Sequence, residues 1–502
     1  MKKREQWGTR FGFIMAAVGS AIGLGNIWRF PYQAYENGGG AFLVPYFFAL
    51  LTAGIPILIM EFGLGHSIRG AAPSMFYRLG KKFKLGGKLE WLGWWQVLIS
   101  FVISMYYVVI VAWTISFVIF SLSQAWGTDT QSFFFEEYLK LSGGPFELQG
   151  LNTTVLITFL LAWFINWLIL FSGVKKGIEL ANKIFMPLLI VMVFVLMFRT
   201  LTLEGAVQGL NYLFTPDFSK ILDFRVWTAA YGQIFFSLSI CFAIMITYSS
   251  YLPKKSDIVN NAFMTGFLNC GFSLLAGIMI FSILGHMAYA EGIGVADVAG
   301  QGIGLAFITI PKAINYLPAP QFLGALFFLT LTVAGLSSFI SINETIIAAA
   351  MDKYNVKRST AVTVFTLIGV VISLLFCTNA GLYMLDIVDH FINAIGIVIS
   401  GLIEIIIVGY LIKLSKIQEH INKISDFNAG IWWIVCVKVI TPVVLGYMAI
   451  RNFINEIMVP YEGYPVNALV LLGWMLVSGI LVVAVVMSRH EGHELHLKGH
   501  DH

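Results

Sequence analysis

The segment GSAIGLGNIWRFP, residues 19–31, places glycines, an asparagine, an arginine and a proline inside an otherwise apolar stretch of the chain. Glycine loosens a helix and lets other groups approach its backbone. Within a membrane, a helix breaks only where protein or a water-filled cavity satisfies the freed carbonyl and amide groups. Residues 23–25 therefore predict a break whose backbone groups bind a polar ligand. A packing face of small residues between helices is the alternative interpretation.

Further polar side chains also lie in apolar stretches, where an unpaired polar group is costly and marks a functional candidate by default. Two of these stretches are serine-containing runs, FFSLSICF at residues 235–242 and AGLSS at residues 334–338. The other candidates are Glu61, Gln233, Asn269, Asn343, Asp389 and Glu404.

The elements that must position these residues are membrane-spanning helices. The 502-residue chain is 58% hydrophobic and only 12% charged, whereas soluble domains carry about 25% charged residues. Twelve apolar windows are long enough to cross a bilayer. They are residues 10–36, 40–69, 90–123, 153–172, 179–199, 226–251, 258–288, 320–351, 359–377, 383–412, 430–456 and 466–488. The prediction is an all-α, multi-pass membrane protein.

Several classes of function lack support in the sequence. No basic cluster accompanies a nucleic-acid motif, so nucleic acid is not an expected partner. The chain contains no His-Glu-x-x-His, Gly-x-Ser-x-Gly or phosphate-binding loop, and we do not expect an enzyme. The cysteines have no C-x-x-C spacing, which argues against a metal site or disulfide framework built from them. They are Cys241, Cys270, Cys377 and Cys436.

Most of the 31 lysines and arginines fall on one side of the predicted helices, the side that carries the N-terminus. The positive-inside rule makes that side cytoplasmic, and an even number of helices places both termini there. No signal-peptide cleavage site follows the basic N-terminus. Short termini indicate an inner-membrane protein of a prokaryote. The histidines of residues 489–502 suggest a solvated polar tail, with metal binding as the less favoured alternative.

Interrupted helices open both halves of the predicted bundle, one at residues 23–25 and one at the Ser-Leu-Ser run 237–239. Corresponding interruptions in two halves are typical of a secondary transporter with a binding site at the repeat interface. Five helices per half require the halves to be inverted relative to each other. The predicted units are residues 1–200, residues 201–412, two further helices within 413–488, and the tail 489–502.

Four stretches together resemble the neurotransmitter:sodium symporter family, of the bacterial leucine-transporter (LeuT) type. They are GLGNIWRFP at 23–31, ENGGGAFLVPY at 36–46, GQIFFSLS at 232–239 and AGLSS at 334–338. The resemblance implies twelve helices in a five-plus-five inverted repeat. It also implies sodium-coupled uptake of amino acids or related amines by alternating access.

The same resemblance implies two sodium sites made of oxygen ligands, which suit a small hard cation. The first would use the Ala21 carbonyl, the side chains of Asn26, Ser237 and Asn269, and the carboxylate of the substrate. The second would use the carbonyls of Gly19, Ile22 and Ala334 and the hydroxyls of Ser337 and Ser338. Taken singly, each of these serines and asparagines could instead be a helix-packing residue.

For the substrate, the resemblance implies a carboxylate bound by the amides of Leu24 and Gly25 and by the Tyr107 hydroxyl. Its amine would face carbonyls at Ala21, Phe236 and Ser237. The side-chain pocket would be formed by Ile103, Phe236, Ser239, Phe242, Ser338 and Ile342. Gly23 leaves room for a substrate carboxylate, which favours an apolar or aromatic α-amino acid over a monoamine. Cys241 is expected to narrow the floor of this pocket.

Gates and a chloride site follow from the same comparison. Arg29 and Asp389 would form an outer ion pair, with Phe242 and Tyr107 as an aromatic lid. Arg4, Asp352 and Tyr251 would form the inner latch, although juxtamembrane charge is an alternative for this pair. Many bacterial relatives have an acid where this chain has Ser273, and a neutral residue there predicts a chloride ion. Its ligands would be Tyr46, Gln233, Ser237 and Ser273.

The leading hypothesis is therefore a sodium-driven, chloride-dependent symporter of hydrophobic or aromatic amino acids. A receptor or sensor of the same fold that binds an amino acid without transporting it is the alternative. Expected partners are a small amino acid and membrane lipid, and the protein is expected to be a monomer or a homodimer.

Overall fold

The computed structural model describes residues 4–300 and 302–490, and this part of the chain is a bundle of helices. Ten of its helices are long and apolar enough to cross a membrane, and a pair bent by 54° raises this number to eleven. One further helix consists of two short pieces separated by residues 238–243. The predicted all-α bundle of twelve helices is confirmed. Residues 491–502, most of the predicted polar tail, lie outside the described residues.

We number the twelve helices in chain order. They are α1 (Arg10–Ala21 and Leu24–Glu36), α2 (Gly39–Ile68), α3 (Gly86–Ser123), α4 (Thr153–Phe171), α5 (Val174–Leu201), α6 (Phe224–Ser237 and Ile244–Ser249), α7 (Ile258–Glu291), α8 (Pro320–Tyr354), α9 (Arg358–Cys377), α10 (Gly381–Leu411), α11 (Ile431–Gly463) and α12 (Val466–Arg489). Shorter helices connect them at Ala72–Lys82, Ala206–Phe214, Val295–Val298, Gly302–Ile314 and Leu414–Ile424.

The break in α1 falls where the glycines predict it. The first half ends at Ala21, and Ile22 and Gly23 are extended before the second half begins at Leu24. The side chain of Asn26 accepts a hydrogen bond from the Gly23 amide at 3.0 Å, which caps the second half. This contact replaces one of the backbone partners that a broken helix loses.

The break in α6 is held open by residues of left-handed backbone conformation. Ser239, Cys241 and Ala243 have φ values of 54°, 70° and 72°, although none is glycine. Such a conformation costs an L-residue roughly 1–2 kcal/mol, so neighbouring contacts must stabilise it. Because residues 238–243 are not helical, the periodicity of α6 does not predict which way their side chains point.

Polar side chains from three other helices satisfy this broken segment. The amide of Cys241 donates to Glu61 of α2 at 2.6 Å, and its carbonyl accepts from Ser400 of α10 at 3.1 Å. Ser100 of α3 donates to the Phe242 carbonyl at 2.6 Å. Within the membrane these bonds do what water would do for a broken helix in solution.

The connection after α7 folds back onto the bundle. Its helix Gly302–Ile314 buries Phe307 completely. The Phe307 ring lies 5.8 Å from the ring of Trp113 in α3 and 6.3 Å from that of Trp28 in α1. The loop therefore covers α1 and α3 on the face opposite to Arg4.

Candidate functional site

The four residues predicted to bind the first sodium ion meet at one point, and the buried side-chain amide of Asn269 in α7 contacts the other three. This amide lies 2.8 Å from the Asn26 side chain and 2.9 Å from the Ser237 hydroxyl. When the oxygen and nitrogen of this amide are exchanged, the nitrogen donates to the Ala21 carbonyl at 3.1 Å and the oxygen accepts from the Ser237 hydroxyl at 2.9 Å. α1, α6 and α7 thus bring to one point several oxygen atoms that can bind a cation, next to both helix breaks.

The residues predicted for a second sodium ion lie on α1 and α8. The Ser338 hydroxyl is 3.5 Å from the Gly19 carbonyl oxygen and 3.4 Å from that of Ile22. Ser337 donates to the Ala334 carbonyl within α8 at 2.8 Å. The end of the first half of α1 therefore turns its free carbonyls toward α8.

The sequence analysis did not include Ser20, whose carbonyl oxygen accepts hydrogen bonds from two serine hydroxyls. It accepts from Ser338 at 3.2 Å and from Ser239 at 2.9 Å. Ser239, assigned from the sequence to the pocket, therefore also ties the break in α6 to the break in α1. The free carbonyls at the end of a helix were the only signal that could have indicated Ser20.

A polar space lies beside Gly23, between the two helix breaks. A methyl group on Gly23 would lie 3.0 Å from the Ser338 hydroxyl and 3.5 Å from the Tyr107 hydroxyl. The Tyr107 hydroxyl is buried and has no hydrogen-bond partner. Leu24 and Gly25 are the first residues of the second half of α1, where amides lack partners within the helix and the helix dipole is positive. This arrangement suits an anion such as a carboxylate.

The predicted pocket residues keep a small accessible surface although their neighbours are completely buried. The exposed fractions are 7% for Ile103, 7% for Ser239, 6% for Phe242, 7% for Ser338 and 5% for Ile342. Part of each of these side chains is therefore accessible, and three of them, Ile103, Phe242 and Ile342, are apolar.

The Phe236 ring, predicted as part of the pocket, lies against Gly25 and Arg29. A methyl group on Gly25 would lie 2.4 Å from the Phe236 ring, and the guanidinium of Arg29 lies 4.6 Å from the centroid of the same ring. The ring is thus enclosed between Gly25 and Arg29. Phe242 lies within the break of α6, between the left-handed residues Cys241 and Ala243, and its assignment as part of the lid stays a prediction.

The predicted outer ion pair does not form. Among the described residues, no salt bridge joins Arg29 to Asp389; Asp389 instead accepts from Tyr106 at 2.6 Å and from Asn393 at 2.8 Å. Two neutral donors satisfy the carboxylate, and the arginine interacts with the face of the Phe236 ring.

The inner latch residues do come together. Arg4 donates to both oxygens of Asp352, at 2.8 and 2.9 Å, and to Ser250 at 2.8 Å. Its guanidinium also lies 4.9 Å from the centroid of the Tyr251 ring. The Tyr251 hydroxyl donates to Glu344 at 2.7 Å. This network joins the N-terminal segment to α8 and to the residues that directly follow α6.

The four positions predicted to bind chloride are buried next to the Asn269 cluster. Ser273 accepts from the Asn26 side chain at 2.8 Å and from the Tyr46 hydroxyl at 3.5 Å. The side-chain amide of Gln233 is completely buried and has no partner at either atom. Buried amides without partners are rare, so Gln233 has unused capacity to donate a hydrogen bond.

Cys241 departs from its predicted place. A methyl group on Gly401 of α10 would lie 2.8 Å from the Cys241 sulfur, so the thiol packs against α10. The atoms nearest to a methyl group on Gly23 belong to Ser338 and Tyr107 instead. The expectation that Cys241 narrows the pocket floor is therefore not met.

A bundle of spanning helices in which two broken helices meet at a buried polar site defines a secondary transporter. Comparison with known proteins agrees with this class. A model of the sodium:neurotransmitter symporter family matches residues 4–134 and 124–492.

Similar proteins cover nearly the whole chain. An uncharacterized sodium-dependent transporter of Methanocaldococcus jannaschii is 43% identical, over 97% of this chain and 98% of its own length. The human sodium- and chloride-dependent taurine transporter is 30% identical, over 97% of this chain and 84% of its own. The sodium- and chloride-dependent glycine transporter 2 of Xenopus laevis is 29% identical, over 96% of this chain and 68% of its own. The chain belongs to the sodium:neurotransmitter symporter family, and it is a sodium-dependent symporter with the LeuT-type fold.

Proposed function

We propose that this symporter takes up an α-amino acid with an apolar or aromatic side chain, driven by sodium. The observation that carries the proposal is the buried Tyr107 hydroxyl beside Gly23, next to the first amides of the second half of α1, which have no partner within the helix. A carboxylate there satisfies both. The apolar residues Ile103 and Ile342 then face the substrate side chain.

Two sodium ions are the proposed coupling ions. The first binds among Ala21, Asn26, Ser237 and Asn269, where side-chain and backbone oxygens already converge. The substrate carboxylate completes its shell, so ion and substrate each strengthen the binding of the other. Each sodium ion that moves down the membrane potential contributes about 2.3 kcal/mol per 100 mV.

The second sodium ion binds between α1 and α8, at the carbonyls of Gly19, Ile22 and Ala334 and the hydroxyls of Ser337 and Ser338. Support comes from the Ser338 hydroxyl, which faces three carbonyl oxygens but can donate to only one at a time. A cation at this point would satisfy all three. The ion would thereby hold the first half of α1 against α8.

Chloride is the proposed third ion, bound by Tyr46, Gln233, Ser237 and Ser273. The side chains at these positions are neutral hydrogen-bond donors, and the unpaired amide of Gln233 is available to an anion. A negative charge here offsets the charge of a sodium ion at Asn26 and Asn269. The names of the taurine and glycine transporters also describe those relatives as chloride-dependent.

The face closed by Arg4 and Asp352 is the proposed cytoplasmic face of an inner-membrane protein, with both termini inside. Most of the lysines and arginines are predicted on this side. Opening of the latch would release substrate into the cell, and movement of Arg29 and Phe236 would admit it from outside.

A binding screen tests the substrate class. The purified protein is heated with each of the twenty amino acids, in sodium chloride and in potassium chloride, and its unfolding temperature is recorded. We expect stabilisation by one or more apolar or aromatic amino acids in sodium only, because only the sodium-bound site completes the carboxylate contact. Failure of every apolar amino acid to stabilise the protein would overturn the proposed substrate class.

A further inference from the structure

A second polar cluster lies beside the break in α6, and the proposed transport site does not use it. It consists of Glu61 of α2, Cys241 of the broken segment and Glu404 of α10. One ligand atom of each residue lies within 4.8 Å of those of the other two. All three side chains are completely buried. Three groups that can carry negative charge therefore share one small volume inside the membrane.

Each carboxyl group of the cluster has one oxygen bonded and one oxygen free. Glu61 accepts from the Cys241 amide at 2.6 Å, and Glu404 accepts from Gln96 at 2.7 Å. The second oxygen of each carboxyl, Glu61 Oε2 and Glu404 Oε1, has no hydrogen-bond partner. In the described part of the chain, no N–H or hydroxyl group donates to either of these two oxygens.

Gln96 of α3 provides an independent sign of a missing ligand. Its amide nitrogen is occupied by Glu404, and its completely buried oxygen has no partner. The amide is thus held against the cluster with an unused acceptor. Buried acceptors without a donor are costly, and only a hydrogen-bond donor or a cation can satisfy several at once.

The donor set decides which cation fits. A thiolate is a soft ligand that favours zinc and similar metals, whereas sodium, magnesium and calcium favour oxygen alone. Zinc binds sulfur at about 2.3 Å and carboxylate oxygen at about 2.0–2.2 Å, so neighbouring ligands of a tetrahedral ion lie roughly 3.3–3.7 Å apart. Ligand atoms that lie within 4.8 Å of one another therefore need to approach each other by at most about 1.5 Å to enclose the ion.

We propose that Glu61, Cys241 and Glu404 form a binding site for a thiophilic divalent cation such as Zn²⁺ or Cd²⁺, with the oxygen of Gln96 as an adjacent donor. The bound ion would tie the broken segment of α6 to α2 and α10. Because these helices must shift relative to one another during transport, the ion would inhibit the symporter. This site shares no residue with the proposed sodium ligands, and the inference does not depend on the substrate.

The test uses Cd²⁺ and the purified full-length protein. Cadmium is titrated into the protein while the ultraviolet charge-transfer absorption of a cadmium–thiolate bond is recorded, and the affinity is measured by calorimetry. We expect a thiolate band whose amplitude corresponds to one thiolate-bound Cd²⁺ per chain. Binding should weaken as the pH falls, because the ligands must lose their protons.

Three variants decide which residues bind the ion. Cys241→Ser should abolish the thiolate band, and Glu404→Gln should weaken binding by roughly tenfold or more while the thiol is retained. Cys436→Ser is the matched control, since Cys436 is a buried cysteine of α11 outside the cluster. It should leave both the band and the affinity unchanged.

Absence of a thiolate band in the unaltered protein after prolonged incubation would overturn the proposal. A band that persists in Cys241→Ser, or an unchanged affinity in Glu404→Gln, would also overturn it. If Cys241→Ser does not fold, the Glu404→Gln result decides.

Discussion

The guanidinium of Arg29 lies over the ring of Phe236 and forms no salt bridge with Asp389. At the other end of the transport path, Arg4 binds both oxygens of Asp352. The two gates are therefore unequal, because an ion pair closes one and an aromatic ring covers the other. We infer that the structure represents a state closed at the Arg4 face.

Loss of the Arg4 contacts should favour opening at this face. Arg4→Ala removes two charge-assisted hydrogen bonds to Asp352 and one bond to Ser250, contacts that contribute about 1–3 kcal/mol each. We expect sodium-dependent substrate binding to weaken by about tenfold or more, measured by equilibrium binding in detergent.

An exposed arginine provides the control for this variant. Arg225 pairs with Asp223, but its side chain is 73% exposed, and pairs of this kind contribute little. Arg225→Ala should therefore bind substrate as the unaltered protein does. Equal losses in Arg4→Ala and Arg225→Ala would contradict a latch at Arg4.

The hydroxyl of Ser338 should set the affinity for sodium. Ser338→Ala removes the group that faces the carbonyls of Gly19, Ser20 and Ile22. We expect the sodium concentration for half-maximal substrate binding to rise by about tenfold. Ser341→Ala is the control, since Ser341 donates only to the Ser338 carbonyl within α8. A sodium titration that is the same for both variants would remove Ser338 from the proposed site.

A methyl group at Gly23 should block the substrate without unfolding the protein. In Gly23→Ala the new methyl group lies in front of the Ser338 and Tyr107 hydroxyls, where the carboxylate is proposed to bind. Binding of the amino acid identified in the screen should fall by more than about tenfold. Gly271→Ala of α7, where nothing lies within 4 Å of the new group, should bind normally. Normal binding by Gly23→Ala would place the carboxylate elsewhere.

A fixed negative charge at residue 273 should replace chloride. Uptake by the unaltered protein is expected to fall when gluconate replaces chloride at constant sodium, whereas uptake by Ser273→Glu should not change. Ser273→Ala is the control, because it removes the hydroxyl without adding a charge and should stay chloride-dependent. If gluconate has no effect on the unaltered protein, the chloride proposal is wrong.

Mild acid should weaken a contact near the Arg4 face. His420 lies 3.0 Å from His66, whose other nitrogen is 2.8 Å from the Pro253 carbonyl. Burial lowers the pKa of His420 below its ordinary 6.5, and nearby cationic side chains, Lys82 first, lower it further. Because the folded protein resists protonation, the stability from this residue is complete above pH 6.5 and is lost as the pH falls below it.

Thermal unfolding between about pH 7.5 and pH 5.5 measures this effect, since the histidine reference pKa lies within that interval. The unfolding temperature should fall toward acid pH, and His420→Gln should reduce the slope. An identical slope in both proteins would show that His420 does not contribute.

The sequence predicted the helices and both breaks because each leaves a local signal. Apolar windows mark the spans, and the glycines at residues 23–25 mark the break in α1. Glu61 was recognised as an unusual polar residue at membrane depth and Ser100 was not singled out, and the role of neither residue was predicted. Those roles depend on the backbone of residues 238–243, which belongs to another helix.

The errors concern the directions and partners of side chains, which no local sequence pattern encodes. The resemblance placed Cys241 at the pocket floor, whereas in the structure Cys241 has a left-handed backbone and its thiol packs against Gly401 of α10. The Arg29–Asp389 pair failed for a different reason. Asp389 accepts a hydrogen bond from Tyr106, whereas the next residue, Tyr107, faces Gly23. The sequence Tyr106–Tyr107 does not indicate which of the two tyrosines binds Asp389.

Uptake into proteoliposomes tests the central claim most directly. The protein is reconstituted, and a radiolabelled amino acid chosen from the screen is supplied with an inward sodium gradient or with potassium alone. We predict accumulation above the external concentration in sodium, and loss of this accumulation when an ionophore dissipates the gradient. Equal uptake in sodium and potassium, or binding without any accumulation, would contradict a sodium-coupled symporter built on these two broken helices.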